Sequence, residues 1–288
     1  MLSDKQIEVM IKVNGKVIEQ NRFPDGTLAL KGDFEKNVGY EFDCGEVSEL
    51  NNWIEWLYDS DSEMFTIMCI VDILRRNGCK KISLCIPYTP HARMDRIKSQ
   101  NENFSLKVFA DWLNSLKFDS VHVLNVHSNV SEALINNVVS ELPEFDIRKT
   151  CEMYKPDVIF FPDEGACKRY SDMTVIKELN LPIAFGIKKR DWQSGTILGL
   201  DIVGGELVKY KRVLIVDDMS SFGGTFKFSA IKLKELGATD VGLYVSHCEN
   251  SIQKGELLKT DLISKIYTTD SILTISDPKI EIIRKFRY

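Results

Sequence analysis

The sequence predicts an α/β fold made of two similar domains, each with a mainly parallel sheet flanked by helices. Three observations lead there. Helix-like and strand-like stretches alternate along the chain, as in parallel-sheet architectures. One unit, a helix end followed by a tight turn and a buried strand, occurs three times and in both halves. A chain of 288 residues that is 44% hydrophobic can also bury two substantial cores.

The first unit runs from Leu74-Arg75-Arg76-Asn77-Gly78 into Lys81-Ile82-Ser83-Leu84-Cys85-Ile86. The second runs from Leu113-Asn114-Ser115-Leu116-Lys117 into Val121-His122-Val123-Leu124-Asn125-Val126. The third runs from Leu233-Lys234-Glu235-Leu236-Gly237 into Val241-Gly242-Leu243-Tyr244-Val245. A boundary between Leu142 and Thr150 separates the first two from the third, and the expected domains are 1–147 and 148–288.

The formal net charge of -5 argues against general nucleic-acid binding, which needs a basic face. Small anionic substrates stay open, because a local cluster such as Lys188-Lys189-Arg190 can be positive on an acidic protein. The seven cysteines are odd in number and scattered, and none has C-x-x-C spacing, so reduced thiols are expected and a zinc site is not. Met1-Leu2-Ser3-Asp4-Lys5 is polar and no apolar run reaches spanning length, so a cytoplasmic protein with no membrane partner is expected.

The most informative stretch begins at Val213-Leu214-Ile215-Val216, four apolar residues of which three are β-branched. That composition suits a central parallel strand covered on both faces. Such strands release ligand-binding residues at their carboxyl ends. Asp217 and Asp218 follow there, where carboxylates can accept hydrogen bonds from sugar hydroxyls or hold a hydrated Mg²⁺ through its waters. Ser220, Ser221, Gly223, Gly224 and Thr225 then make a loop of little bulk. Its N–H groups can turn toward an anion, and a helix expected to start at Phe226 adds its positive end. The plainer alternative is a polar strand-to-helix turn with an acidic N-cap.

The thirteen residues from Val213 to Thr225 resemble the phosphoribosyl-pyrophosphate signature shared by type I phosphoribosyltransferases and ribose-phosphate pyrophosphokinases. Other segments decide between the two. Ile86-Pro87-Tyr88-Thr89-Pro90-His91-Ala92-Arg93-Met94-Asp95-Arg96 is similar to the ATP-contacting segment of the pyrophosphokinases, which the transferases lack. Asn125-Val126-His127-Ser128 and Phe161-Pro162-Asp163-Glu164-Gly165 resemble their metal-linked histidine and aspartate segments, and Ala184 to Arg190 resembles the start of their flexible catalytic loop. The likeness is nearly continuous from about Phe23 to Ile272.

The resemblance implies two phosphoribosyltransferase-like domains and an enzyme that transfers the β,γ-diphosphoryl group of Mg-ATP to the anomeric 1-hydroxyl of ribose 5-phosphate, releasing AMP. It assigns ATP binding to Phe23, Asp25, Arg93, Met94, Arg96 and His127, and Mg²⁺ to His127 and Asp163. The catalytic cations are Lys188 and Arg190. The sugar phosphate falls to Asp217, Asp218, Ser220, Ser221, Phe222, Gly223, Gly224 and Thr225. In the family the hairpin matching Arg22 to Thr27 reaches a neighbouring subunit's site, so a homo-oligomer, at least a dimer, is expected. A phosphoribosyltransferase, which would not have the segment from Ile86 to Arg96, and a non-catalytic regulatory homologue, which would be expected to lose the basic pair, are the competing readings.

Each site residue also has a plainer reading. His127 could cap a strand end, Asp163 could form a turn, and residues 188–190 could be a solvated charge run. His122 reads as structural. The sequence also departs from the family pattern. Met94 stands where Gln is usual, Thr27 where an acid or amide is common, and Asn125 where Asp is usual. Residues 97–106 lack the Ser-Arg pair associated with regulation, so weak or altered allosteric control is expected. Most suggestive, Ser221-Phe222 occupy the usual Asp-Thr positions. Either Phe222 offers an aromatic face to a larger ribose 5-phosphate ester such as ADP-ribose, or it packs inward and backbone amides alone hold an ordinary monoester.

Overall fold

The structure, a computed structural model, describes residues 10–32, 34, 51–190 and 197–287; the side chains of residues 188–190, 197 and 198 lie outside that description. The chain divides between Leu142 and Pro143. The expected boundary at 147/148 would cut a helix, Glu144–Tyr154, whose Ile147, Cys151 and Tyr154 are buried in the second unit's core. Burial of one helix face therefore moves the boundary forward.

The first unit runs β1 (Met10–Val13), β2 (Lys16–Val17), β3 (Glu19–Arg22), β4 (Leu28–Lys31), β5 (Asn51–Leu57), α1 (Glu63–Arg76), β6 (Lys81–Cys85), α2 (Ser105–Ser115), β7 (Ser120–Leu124), α3 (Asn129–Leu134) and β8 (Val138–Glu141). Among the described residues its main sheet has the order β2-β1-β5-β6-β7-β8, parallel from β5 to β8, with β3 and β4 as a separate hairpin. Helix α1 forms because Ile67, Ile70, Val71 and Leu74 recur at helical spacing and are buried along one stripe. It stops at Gly78, whose φ of 78° lets the Cys79 N–H reach back to the Leu74 carbonyl at 3.0 Å.

The second unit runs α4 (Glu144–Tyr154), β9 (Val158–Phe161), α5 (Glu164–Tyr170), α6 (Thr174–Leu179), β10 (Ile183–Arg190), β11 (Ile197–Val203), β12 (Arg212–Ser220), α7 (Gly224–Glu235), β13 (Asp240–Cys248), β14 (Lys265–Thr269) and β15 (Ile280–Arg284). Among the described residues the sheet order is β11-β10-β9-β12-β13-β14-β15, and every pairing is parallel except β10 with β11. Strand β12 lies at its centre. Val213 and Ile215 pack into one core with Phe226, Ala230 and Leu233 of α7, and Leu214 and Val216 into another with Ile147 and Tyr170. An unbroken apolar run is what a strand with two covered faces requires.

All three repeated units are present, but their turns differ. After α7, Gly237 at φ 94° lets the Ala238 N–H reach the Leu233 carbonyl at 3.0 Å, repeating the ending of α1. After α2 a lysine, Lys117, holds the left-handed position at φ 52°. A side chain there costs roughly 1–2 kcal/mol, partly offset against glycine by chain entropy. Lys117→Gly is therefore expected to raise stability by about 1 kcal/mol, seen as a higher thermal midpoint. An unchanged midpoint would mean that the Lys117 side chain recovers the difference. Among the described residues, no helix is long and apolar enough to cross a membrane.

Candidate active site

The acidic pair lies within β12 and not beyond it, because the strand continues to Ser220. Alternation along the strand then separates the two side chains. Asp217 follows Val213 and Ile215 on the α7 face, and Asp218 follows Leu214 and Val216 on the α5 face. Asp218 is buried, and Arg169 of α5 donates from Nη1 to its Oδ2 at 3.2 Å. Asp217 is half-buried and its Oδ1 accepts the Asp218 N–H at 2.9 Å. Burial pushes the Asp217 carboxyl well above the usual range, and the Asp218 and Asp163 carboxylates push it further. Such a group is relieved by a hydroxyl donor or a cation.

Asp163 caps α5, with Oδ1 accepting the Ala166 N–H at 2.9 Å. The turn-forming role is thus realised, and a carboxylate has acceptor capacity for more than one bond. Among the described residues no group of three or more His, Cys, Asp or Glu side chains could hold a metal ion. A single carboxylate such as Asp163 suits Mg²⁺, which keeps several waters and binds largely through a nucleotide's own phosphates.

Helix α7 begins at Gly224, ahead of the expected Phe226, with Gly223 as its cap at φ 79°. Gly224 and Thr225 are therefore first-turn residues, whose N–H groups lack intrahelical acceptors, and the loop proper is Ser221 to Gly223. Gly223 is required twice over: its φ is left-handed, and a Cβ there would meet Leu257 Cδ1 at 2.3 Å. Ser220 is 1% exposed, so strand alternation removes its side chain from the candidate phosphate contacts. Phe222 is 57% exposed, and the inward-packing alternative does not hold. A Cβ on Gly255 would lie 2.0 Å from the Phe222 carbonyl oxygen, so that segment presses against the loop from behind.

Two residues here escaped the sequence reading. Glu249 directly follows β13, and its Oε2 accepts the Ser221 hydroxyl at 2.7 Å. The strand-end rule applied to β12 would have found it if extended to β13. Arg169 carried no local signal, because its pairing with Asp218 spans elements far apart in sequence.

Lys188 and Arg190 belong to β10, which pairs with β11 through Lys188↔Leu200 and Arg190↔Ile197, with a register shift between Lys189 and Arg190. The expected loop start is thus an antiparallel ribbon at the edge of a parallel sheet. The two side chains and the stretch from Asp191 to Thr196 lie outside the described residues.

In the first unit, Phe23 is 59% exposed at the tip of the β3–β4 hairpin. Asp25 Oδ1 accepts the Thr27 N–H at 2.9 Å, and that bond holds its carboxyl below the usual range. Arg22 Nη1 donates to the Gly26 carbonyl at 3.1 Å, so the turn is set by its own residues. Arg93 and Arg96 are exposed and Met94 is half-buried. Arg96 Nε donates to the buried Asp95 at 2.7 Å; this bond lowers the Asp95 carboxyl, and His127 adds to the effect. The arginine segment and His127 are thereby brought together. His127 is exposed, and β7 ends at Leu124, short of the expected Val126, because Asn125 turns the chain at φ 43°. Asparagine tolerates that conformation. His122 lies edge-on to Trp53 at 4.7 Å and bonds Ser120 at 3.1 Å, a packing role.

Two family models match, the N-terminal domain of ribose phosphate pyrophosphokinase over residues 5–116 and the phosphoribosyl transferase domain over residues 143–281. The chain is 30% identical over 234 residues to a ribose-phosphate pyrophosphokinase of Pasteurella multocida, covering 79% of this chain and 72% of that protein. The chain belongs to the ribose-phosphate pyrophosphokinase family. A family member from Haemophilus influenzae is 30% identical over 219 residues, 74% of this chain and 68% of its own. The crystal structure of phosphoribosylpyrophosphate synthetase from Mycobacterium smegmatis matches with a TM-score of 0.71 at 21% identity, over 93% of this chain and 86% of that one. The two-domain fold expected from the sequence is the fold of this family, and the chain is an enzyme of the pyrophosphokinase type.

Proposed function

We propose that this pyrophosphokinase transfers the β,γ-diphosphoryl group of ATP to the anomeric 1-hydroxyl of a ribose 5-phosphate unit and releases AMP. The observation that carries this reading is the Asp217 carboxyl, within charge range of Asp163 and Asp218 near the carboxyl ends of β9 and β12, beside a left-handed glycine that opens α7. Asp217 and Asp218 orient the ribose hydroxyls, so that the nucleophile is in place before ATP arrives. The amides of residues 221–225 hold the 5-phosphate.

Phe23, Asp25, Arg93, Met94, Arg96 and His127 serve ATP, with the hairpin tip acting in a second copy of the chain, at least in a dimer. An aromatic face suits adenine, and guanidinium groups suit phosphates. Asp163 and His127 are the residues that would hold nucleotide-bound Mg²⁺, which when bound neutralises phosphate charge. Lys188 and Arg190 offset the charge that builds on the leaving α-phosphate and the bridging oxygen. The attacking hydroxyl displaces AMP directly, and no protein nucleophile takes part.

Free ribose 5-phosphate, giving phosphoribosyl pyrophosphate, is the family's default acceptor. The exposure of Phe222 favours a second reading, a ribose 5-phosphate ester such as ADP-ribose. A phosphodiester carries one charge fewer than a monoester above its second pKa of about 6. An exposed aromatic ring can also stack on a base for roughly 1–3 kcal/mol. Purified protein with ATP and Mg²⁺, offered either acceptor, is expected to release AMP with at least one of them. Absence of AMP with both, while a free base and phosphoribosyl pyrophosphate react, would instead identify a phosphoribosyltransferase.

A further inference from the structure

We propose that Glu249 is a specificity-determining residue, which biases the acceptor site against a free terminal phosphate and toward ribose 5-phosphates whose phosphate is a monoanionic diester. The inference rests on the sugar-phosphate role given above to the loop from Ser221 to Thr225.

The geometry around Glu249 is fixed at both ends. Its N–H donates to the Ser220 carbonyl at 2.8 Å, which ties the end of β13 to the end of β12. Its carbonyl accepts the Ile252 N–H at 3.1 Å, which starts the turn behind it. Its Oε2 accepts two hydroxyls, from Ser221 at 2.7 Å and from Ser251 at 2.8 Å. The carboxylate is therefore held against the first residue of the loop and does not swing in solvent.

Two consequences follow for an anion in that loop. A serine hydroxyl has one proton to donate, and in Ser221 it points at Glu249, so Ser221 offers the phosphate its backbone N–H and not its hydroxyl. A fixed negative charge also stands one hydroxyl away. At a given distance and dielectric, its repulsion of a dianion is twice its repulsion of a monoanion. A monoester above its second pKa of about 6 is close to a dianion, whereas an esterified phosphate is not. Glu249 thus penalises the smaller acceptor by charge alone, independently of anything Phe222 stacks upon.

Three acceptors separate those effects: ribose 5-phosphate, its 5-methyl phosphate ester, and ADP-ribose. The methyl ester has the diester's charge and no base. Binding of each is measured by calorimetry near pH 7.5 to the full chain and to Glu249→Gln, which can still accept both serine hydroxyls but carries no charge. AMP release with ATP and Mg²⁺ is followed in parallel. In Glu249→Gln, ribose 5-phosphate is expected to gain about tenfold in affinity relative to the methyl ester, with the ratio of methyl ester to ADP-ribose moving less, because each carries a single charge on the phosphate at the loop. Glu249→Ala, which removes the same charge, is expected to shift the first ratio in the same direction and serves if the glutamine variant does not fold. Equal loss for all three acceptors would reveal a purely structural latch and overturn the proposal, as would an unchanged ratio or no binding of any acceptor. A shifted ratio without AMP release would leave Glu249's role standing and remove the pyrophosphokinase reading instead.

Discussion

Asp217→Asn is expected to lower kcat/KM roughly 10- to 100-fold, the range for losing a hydrogen bond to a charged group, while making the ligand-free protein more stable near neutral pH. The two effects have one origin. Asp217 is half-buried beside Asp218 and Asp163, so its carboxyl titrates well above its ordinary value. A raised folded-state pKa means that the fold binds the proton more tightly than the unfolded chain does. Stability from this group is complete below the unfolded value of about 3.9 and is lost as pH climbs through the raised folded value. Asparagine carries no such penalty. The variant's advantage in chemical denaturation should therefore be present near pH 7.5 and vanish near pH 3.5. An advantage of the same size at both pH values would refute the electrostatic origin. The carboxylate that strains the empty fold is the one proposed to receive ribose hydroxyls, a trade of stability for activity often met at functional sites.

Arg284→Met should give the largest loss of stability. Arg284 Nε donates to Asp146 Oδ1 at 3.0 Å, with the two side chains 9% and 0% exposed, and the pair joins residues 138 apart in sequence. The guanidinium also lies 5.5 Å from the Phe145 ring centroid and 5.9 Å from that of Phe286. Breaking a buried pair from one side leaves a charge without its counter-ion and costs about 3–5 kcal/mol, whereas replacing both partners with apolar groups is often neutral. Denaturant unfolding should show that loss for Arg284→Met and recovery of most of it in the double variant with Asp146→Leu. No recovery would place the cost in the lost ring contacts instead.

Much of the fold was legible because its signals are local. Four apolar residues at Val213 to Val216 announce a doubly covered strand, and helix-turn-strand units repeat around Gly78, Lys117 and Gly237. The errors came where conformation at one residue overrides pattern. Asn125 turns left-handed and shortens β7, and Gly223 caps α7 early although glycine and threonine are poor helix formers. In the candidate site, the carboxylates and the glycine loop could be read directly. The serine at 220 could not be excluded until strand alternation was known to continue past Val216. Arg169 and Glu249 act only through pairings with Asp218 and Ser221 that no local window contains.

The close approach of Gly255 to the Phe222 carbonyl has a consequence for redesign. With Leu257 against Gly223 and Glu249 joined to Ser221, residues 249–257 act as a mould for the loop at 221–223. Widening that aperture calls for coordinated changes in both segments. Mutant libraries confined to residues 221–223 would leave that mould in place, because the shape is cast from outside the loop.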